Sequence, residues 1–183
     1  LALDHPERIK KLAVLDIIPT VSMWDGMDAR RAMQVYHWQF LAQPDPLPEM
    51  LIAGAHLAYI NHTLASWTKA KALDCFSEGA LAHYQNFFAD HARIHATCED
   101  YRAGATIDAG YDRTDLLLHK TIQCPVQVLW GAVGIPAAGA SPLDVWRATF
   151  APHAQGRAID SGHFLPEENP ADTAAALLEF FRD

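Results

Sequence analysis

The sequence has little cysteine and no long apolar run. Its three cysteines, Cys75, Cys98 and Cys124, are far apart and form no Cys-x-x-Cys pair. Such a set argues against a disulfide framework and indicates reduced, buried thiols. No apolar stretch approaches the roughly 20 residues that span a bilayer. We therefore expect a cytoplasmic protein without a membrane-spanning helix.

Positive charge is also scarce. The 183 residues include 14 Lys and Arg against 22 Asp and Glu, which gives a formal net charge of -8. Because a net acidic surface repels phosphate backbones and anionic lipids, nucleic acid and membranes are poor partners. A metal motif is missing as well, since His91-x-x-x-His95 lacks the Glu of a zincin helix and a clear third ligand. We interpret that pair as part of a helix surface and expect no metal site.

Short apolar segments occur near both ends of the sequence. Residues 12–15 stop at Asp16, residues 126–130 stop at Gly131, and a weaker segment covers 156–160. The first two are typical of strands buried on both faces, as in a parallel sheet beneath helices. After the third, Asn169 and Pro170 are a typical helix start. The two ends thus predict an α/β sheet.

The middle of the chain shows no convincing strand. Helical patterns occur near residues 27–42, 56–69, 78–89 and 91–101. Pro44, Pro46 and Pro48 break the first of these from the next. A helical insertion between two strands of one sheet is typical of a cap. The predicted organisation is a core of residues 1–18 and 113–183 and a helical cap of residues 19–112.

His163 is the first candidate for chemistry. It follows a predicted strand and Gly162, at the edge where parallel sheets present groups to ligands. Its imidazole suits proton transfer near neutral pH. The alternative is an ordinary core or surface histidine, since the chain has ten. The order strand, Gly, His, apolar residues, Pro, Glu and helix favours a catalytic base.

A catalytic imidazole needs an orienting carboxylate. The loop at 132–141, after the strand that ends at Trp130-Gly131, contains no acid, and Asp144 looks like part of the next helix's first turn. The other candidate is Asp16, because a carboxylate that ends an apolar strand is costly without a partner. A turn-starting Asp before Pro19 is the alternative interpretation.

Five segments stand out, in order along essentially the whole chain: DIIPT at 16–20, YHWQFLAQP at 36–44, LASWT at 64–68, CEDYRAG at 98–104 and SGHFLPEE at 161–168. Together they resemble the fluoroacetate (haloacetate) dehalogenases of the α/β-hydrolase fold superfamily. Gly162-His163 is shared by many α/β-hydrolases, whereas the segments around His37-Trp38 and Tyr101 are far more specific. The resemblance implies an α/β-hydrolase fold, with a partial parallel sheet flanked by helices and a helical cap inserted between strands.

The resemblance also implies a mechanism. In that family an Asp displaces the halide from the substrate carbon, and a His–Asp pair activates the water that hydrolyses the resulting ester. His163 matches the base and Asp16 its acid. Residues of the cap match the halide and substrate site: His37, Trp38, Tyr101 and, as a pocket-lining aromatic, Trp67. A small haloacid substrate, no cofactor and a homodimer are implied too.

Simple chemistry supports the halide site, although packed helix aromatics are the alternative for each residue. Fluoride is a poor leaving group, so its departure needs donors aimed at the developing charge. Imidazole N–H, indole N–H and phenol O–H supply three donors without a cation that would bind the product too tightly.

The resemblance places the nucleophile and two carboxylate-binding arginines before Leu1. Asp4 precedes His5-Pro6 with no Gly-x-x-x-Gly turn around it and does not match the nucleophile. Four arginines in the chain do not match that pair: Arg8, Arg30, Arg31 and Arg102. We therefore expect these 183 residues to be a C-terminal part that is inactive and poorly folded by itself.

Three alternatives remain open on the sequence. An epoxide hydrolase of the same fold would use Tyr36 and Tyr101 as acids on an epoxide oxygen. An enzyme that prefers chloroacetate is possible because pocket size is not readable from the sequence. A truncated, non-catalytic fragment is the third alternative.

Overall fold

Three parallel strands form the sheet of this computed structural model, which describes residues 1–134 and 140–182. Strand β1 (Leu12–Leu15) pairs with β2 (Val126–Gly131), and β2 pairs with β3 (Gln155–Ile159). The central strand is the most deeply buried, with Val128 and Leu129 fully inaccessible to solvent. All three predicted strands are confirmed, with β2 one residue longer and β3 beginning and ending one residue earlier than predicted.

Helices cover both faces of the sheet, as the apolar strands require. They are a 3-10 helix at Pro6–Arg8, then α9 (Pro142–Ala148), α10 (Leu165–Glu168) and α11 (Pro170–Phe181). On one side Trp146 and Phe150 pack with Val128, and on the other Leu165 and Ala176 pack with Leu129. A parallel sheet flanked by helices is therefore confirmed.

Two helix starts agree with the sequence signals. The side chain of Asn169 accepts a hydrogen bond from the backbone of Asp172 and caps α11. Asp144 lies in the first turn of α9, where Ser141 provides the cap.

Between β1 and β2 the chain is helical, and we call residues 20–117 the helical segment. It contains α1 (Thr20–Asp25), α2 (Ala29–Gln34), α3 (Tyr36–Leu41), α4 (Leu47–Gly54), α5 (His56–Trp67), α6 (Glu78–Phe87), α7 (His91–Ala103), a π-helical turn (Gly104–Asp108) and α8 (Ala109–Leu117). The predicted domain boundary at 112/113 falls inside α8 and stays a prediction, as does the role of the segment as a cap.

The helices of this segment differ from the sequence prediction in four places. The single pattern at 27–42 is two helices, because the chain bends at Val35, which is almost completely buried. The proline-rich stretch contains α4, since Pro48 stands in the first turn, where no backbone N–H is needed. Helices α1 and α8 were not predicted; α8 continues from α7 because Gly104 does not end the helix but enters the π turn.

Within the residues that the structure describes, no helix is both long and apolar enough to cross a lipid bilayer.

Candidate active site

Asp16 directly follows β1 and is almost completely buried, with 2% of its surface exposed. Its N–H donates to the Leu129 carbonyl at 2.8 Å and so extends the sheet by one residue. The backbone then enters the left-handed region, with a φ of 51°, which Asp tolerates better than most residues. This turn directs the carboxylate back across the carboxyl edge of the sheet.

Both oxygens of Asp16 have partners. Oδ1 accepts the backbone N–H of Gly131 at 2.8 Å, and Oδ2 lies 2.7 Å from Nδ1 of His163. The predicted pair is thus formed between the ends of β1 and β3. Because the carboxylate meets Nδ1, it assigns the ring proton to that nitrogen and leaves Nε2 as the free base.

The loop that lacks an acid leaves room for this carboxylate. A Cβ at Gly134 would lie 2.8 Å from both Asp16 oxygens, so a larger residue there would displace the carboxylate. Residues 135–139 of the same loop, part of the acid-free stretch 132–141, lie outside the described residues. Gly134, in the described part of the loop, thus lies against Asp16, the acid that follows the neighbouring strand β1.

His163 is held against the helical segment. Its N–H donates to the carbonyl of Trp67, the last residue of α5, at 3.0 Å. A Cβ at Gly162 would lie 2.6 Å from that same carbonyl oxygen, so glycine is required for the two segments to approach so closely. The imidazole keeps 36% of its side-chain surface exposed, enough to reach a ligand.

A cavity of about 250 Å³ lies between the sheet edge and the helical segment. All six predicted site residues line it: Asp16, His37, Trp38, Trp67, Tyr101 and His163. The sheet edge contributes the His–Asp pair, whereas α3, α5 and α7 contribute the other four. The structure thus brings the predicted residues together, and their roles stay predictions.

His37 is a buried donor that faces this cavity. Its ring centre lies 4.5 Å from that of Trp67 and 5.8 Å from that of Tyr101. Burial, helped by the nearby imidazole of His163, lowers the pKa of His37 to about 4, so its ring is neutral at neutral pH. Among the described residues its Nδ1 has no hydrogen-bond partner. A buried polar atom without a partner costs about 1–3 kcal/mol and is rare in folded proteins, which marks His37 as a candidate functional residue.

Trp38 and Tyr101 place two further donors beside His37. Their rings are nearly perpendicular, with centres 5.7 Å apart. Burial raises the pKa of Tyr101 to about 12, so the phenol stays protonated and can donate. The site therefore offers three neutral donor groups and no cation among its described lining residues.

Sequence reasoning missed the rest of the lining, which is apolar except for one threonine. These residues are Ile17, Ile18, Thr20, Met23 and Val35. The first two directly follow Asp16 and Thr20 comes two residues later, and that proximity is a signal that could have found them. Met23 lies in α1 and Val35 lies between α2 and α3, so both reach the cavity only through helix packing, for which the sequence has no local signal.

One other group of side chains could offer ligands to a metal ion. Ligand atoms of Asp45, Glu49 and His95 lie within 4.8 Å of one another. Both oxygens of Glu49, however, already accept from the guanidinium of Arg102, at 2.8 and 3.0 Å. An ion would have to displace this arginine. His95 lies on α7 with 44% of its side-chain surface exposed, and its Nδ1 lies 3.0 Å from Glu49.

No protein-family model matches the chain. Over all 183 residues it is 38% identical to the fluoroacetate dehalogenase of a Burkholderia sp., of which it covers 59%. A solved structure provisionally described as an α/β hydrolase, from Nostoc sp. PCC 7120, matches 98% of the chain at 46% identity with a TM-score of 0.90, and the chain covers 60% of it. Another, provisionally described as an epoxide hydrolase from Pseudomonas aeruginosa, matches 98% at 38% identity and a TM-score of 0.90, with 59% of it covered.

The chain thus spans about three fifths of the length of each of these proteins. It has the α/β-hydrolase fold, and its resemblance to fluoroacetate dehalogenase is confirmed along its whole length.

Proposed function

We propose that a protein carrying this chain hydrolyses a haloacetate, fluoroacetate or chloroacetate, to glycolate and halide. The proposal includes an ester intermediate on an aspartate outside these residues, which the resemblance places before Leu1. The observation that carries it is the cavity lined both by a His–Asp pair and by three residues with neutral donor groups, His37, Trp38 and Tyr101.

The His–Asp pair suits the second half of that reaction. Nε2 of His163 removes a proton from water as the water oxygen attacks the ester carbonyl. The ester C–O bond then breaks, and the released glycolate takes up the proton. Asp16 stabilises the imidazolium while it exists and holds the ring by Nδ1.

The donors suit the first half. The carbon–halogen bond breaks as the nucleophilic carboxylate oxygen attacks, and negative charge grows on the halogen. Donors from His37, Trp38 and Tyr101 stabilise that charge in a largely apolar cavity, where hydrogen bonds to an anion are stronger than in water. Because none of the three is a cation, the halide is released afterwards.

The lining of the cavity is compatible with a small substrate. About 250 Å³ leaves room for a two-carbon acid, and the apolar side chains of Ile17, Ile18 and Met23 would pack against its methylene group. The substrate carboxylate needs a cation, and no lysine or arginine is among the described lining residues. We propose that arginines of the preceding segment supply it.

The test requires the protein encoded by the full reading frame around this chain. We expect halide release from fluoroacetate or chloroacetate, and comparing the two identifies the preferred halogen. If the encoded protein releases neither fluoride nor chloride, the proposal is wrong. The 183 residues alone are expected to be inactive, as a control.

The ester is tested with His163→Ala. We expect one halide released per site, followed by arrest, with one carboxymethyl group covalently retained and visible by mass spectrometry. His153→Ala, a change at an exposed histidine outside the cavity, is the matched control and should turn over normally. Normal turnover of His163→Ala would remove His163 from this role.

Epoxide hydrolysis is the second candidate, favoured by the similarity to the Pseudomonas aeruginosa protein. Tyr101 could donate to an epoxide oxygen, but Tyr36, the second tyrosine that the alternative needs, is not among the described residues lining the cavity. Incubating His163→Ala with a terminal epoxide distinguishes the two, since a trapped hydroxyalkyl ester would favour this candidate.

We also propose that residues 19–112 act as a cap over the site, that the protein is cytoplasmic and that it forms a homodimer.

A further inference from the structure

Glu168, at the end of α10, uses its carboxylate to bind backbone rather than a cation. Oε2 accepts the N–H groups of Lys69 at 2.7 Å and Gly162 at 2.9 Å. Oε1 accepts the N–H of Phe164 at 3.0 Å. Three N–H groups from two separate segments therefore converge on one charged side chain.

Two of these N–H groups flank His163. The N–H of His163 itself donates to the Trp67 carbonyl at 3.0 Å, so the amides of residues 162, 163 and 164 are all bonded. Hydrogen bonds to a carboxylate are roughly twice as strong as those between neutral groups. The backbone that carries the imidazole is thus fixed on both sides of its Cα.

The third N–H connects the base to the helical segment. Lys69 lies two residues after Trp67, whose ring centre is 5.2 Å from that of His163 and 4.5 Å from that of His37. The ammonium group of Lys69 bonds to Asp160, so Glu168 is held by the backbone of Lys69 and not by its charge. One carboxylate thereby joins the His163 loop to the end of α5.

We propose that Glu168 is a positioning residue, which fixes the position of the His163 imidazole relative to Asp16 and to the rings of Trp67 and His37 that line the cavity. The proposal rests on the proposed function only in taking His163 as the base. Glu168 does not contact the cavity and acts through the backbone. Small misplacements of a catalytic group lower the rate steeply, by on the order of 10²-fold for 1 Å.

The neighbouring Glu167 provides a matched control. It belongs to the same short helix, but its carboxylate accepts from the Tyr84 hydroxyl at 2.6 Å, on α6. Both Glu167→Gln and Glu168→Gln remove one charge and keep the side-chain length. Glu168→Gln replaces one of the two acceptor oxygens by an NH₂ group. The variant must therefore lose either the contact with the Phe164 N–H or the two contacts with the N–H groups of Lys69 and Gly162.

The experiment has two readouts. The first is the NMR titration of the His163 ring in the folded protein, which needs no substrate. We expect Glu168→Gln to shift its titration midpoint and Glu167→Gln to leave it unchanged. The second is turnover, where we expect kcat to fall about tenfold while kcat/KM stays within about twofold, because the base acts on the ester, after the step that sets kcat/KM.

The outcomes decide between positioning and plain stabilisation. A wild-type titration and a wild-type kcat in folded Glu168→Gln would overturn the proposal. If that variant does not fold, Glu168→Asp, which keeps the charge and loses reach, is examined by the same two readouts. Failure of both to fold while Glu167→Gln folds would assign Glu168 a purely structural role. If the wild-type protein released no halide, the proposed function would fail, yet the titration would still decide the role of Glu168.

Discussion

Two buried carboxylates in this molecule each contact an imidazole, yet their surroundings differ. Asp16 and Glu49 are 2% and 0% exposed. Asp16 lies 2.7 Å from Nδ1 of His163, and Glu49 lies 3.0 Å from Nδ1 of His95. The difference is in the remaining contacts, since Asp16 accepts a backbone N–H from Gly131, whereas Glu49 binds the guanidinium of Arg102 through both oxygens.

That difference separates a pair available for chemistry from one used for packing. Arg102 holds the pKa of Glu49 at about 2, so the charge of Glu49 is already compensated where α4 meets α7. In the described part of the chain, Asp16 forms an ion pair only with His163, and that imidazole borders a cavity. A buried carboxylate with an imidazole is therefore a poor indicator of catalysis; the absence of a competing cation and the presence of a cavity are better ones.

The largest expected effect comes from neutralising Asp16. In Asp16→Asn we expect hydrolysis of the ester to slow by about 10³–10⁴-fold, because the amide favours the wrong imidazole tautomer. The first halide release should persist, so rapid-quench measurement of halide against glycolate separates the two steps. Equal slowing of both steps would contradict the assigned role of Asp16.

Glu49→Gln should lower the stability of the protein rather than its rate of ester hydrolysis. Glu49→Gln leaves the guanidinium of Arg102 paired only with the exposed carboxylate of Glu99, at 2.6 Å, so we expect a loss of about 3 kcal/mol of unfolding free energy, at the lower end of the range for breaking a buried ion pair. Urea denaturation of the full-length protein measures this loss. In the double variant with Arg102→Met most of the loss should be recovered, because no unpaired charge remains. A loss below about 1 kcal/mol for Glu49→Gln alone would mean that the pair is solvated.

The two regions should also respond to acid in different pH ranges. The folded-state pKa of His37 is lowered from 6.5 to about 4, so unfolded chains bind the proton first. Stability is therefore full above pH 6.5 and falls as the pH drops from there toward 4, by up to about 3 kcal/mol. The pKa of Glu49 is lowered from 4.5 to about 2, so its contribution to stability is lost only as the pH falls from 4.5 to about 2.

Urea midpoints measured from pH 7 to pH 2 would test these two ranges. His37→Phe should abolish the decline in the upper range and leave the lower one, whereas Glu49→Gln should do the reverse. An unchanged upper decline in His37→Phe would assign it to another group.

The sequence allowed the prediction of Asp16 because it directly follows a short apolar strand, and of His163 because it comes four residues after the end of a weaker one. Parallel strands end at one edge of a sheet, so the two residues were expected to meet. It also allowed the prediction of the helix starting at Pro170, whose cap is local. The Glu49 cluster was not predictable, since its members come from α4 and α7 and meet only through helix packing. Glu168 was noted as part of a motif, but its three contacts depend on how α5 approaches the His163 loop.

The smallest expected effect comes from removing the imidazole that contacts Glu49. His95 is 44% exposed on its side chain, and Glu49 retains Arg102 when His95 is removed. We therefore expect His95→Ala to lower the unfolding free energy by only about 1 kcal/mol and to leave ester hydrolysis unchanged. Urea denaturation and turnover of this variant, measured beside His163→Ala, give the contrast directly. If His95→Ala cost as much stability as Glu49→Gln, the imidazole rather than the guanidinium would compensate Glu49, and the two buried carboxylates would be more alike than their contacts indicate.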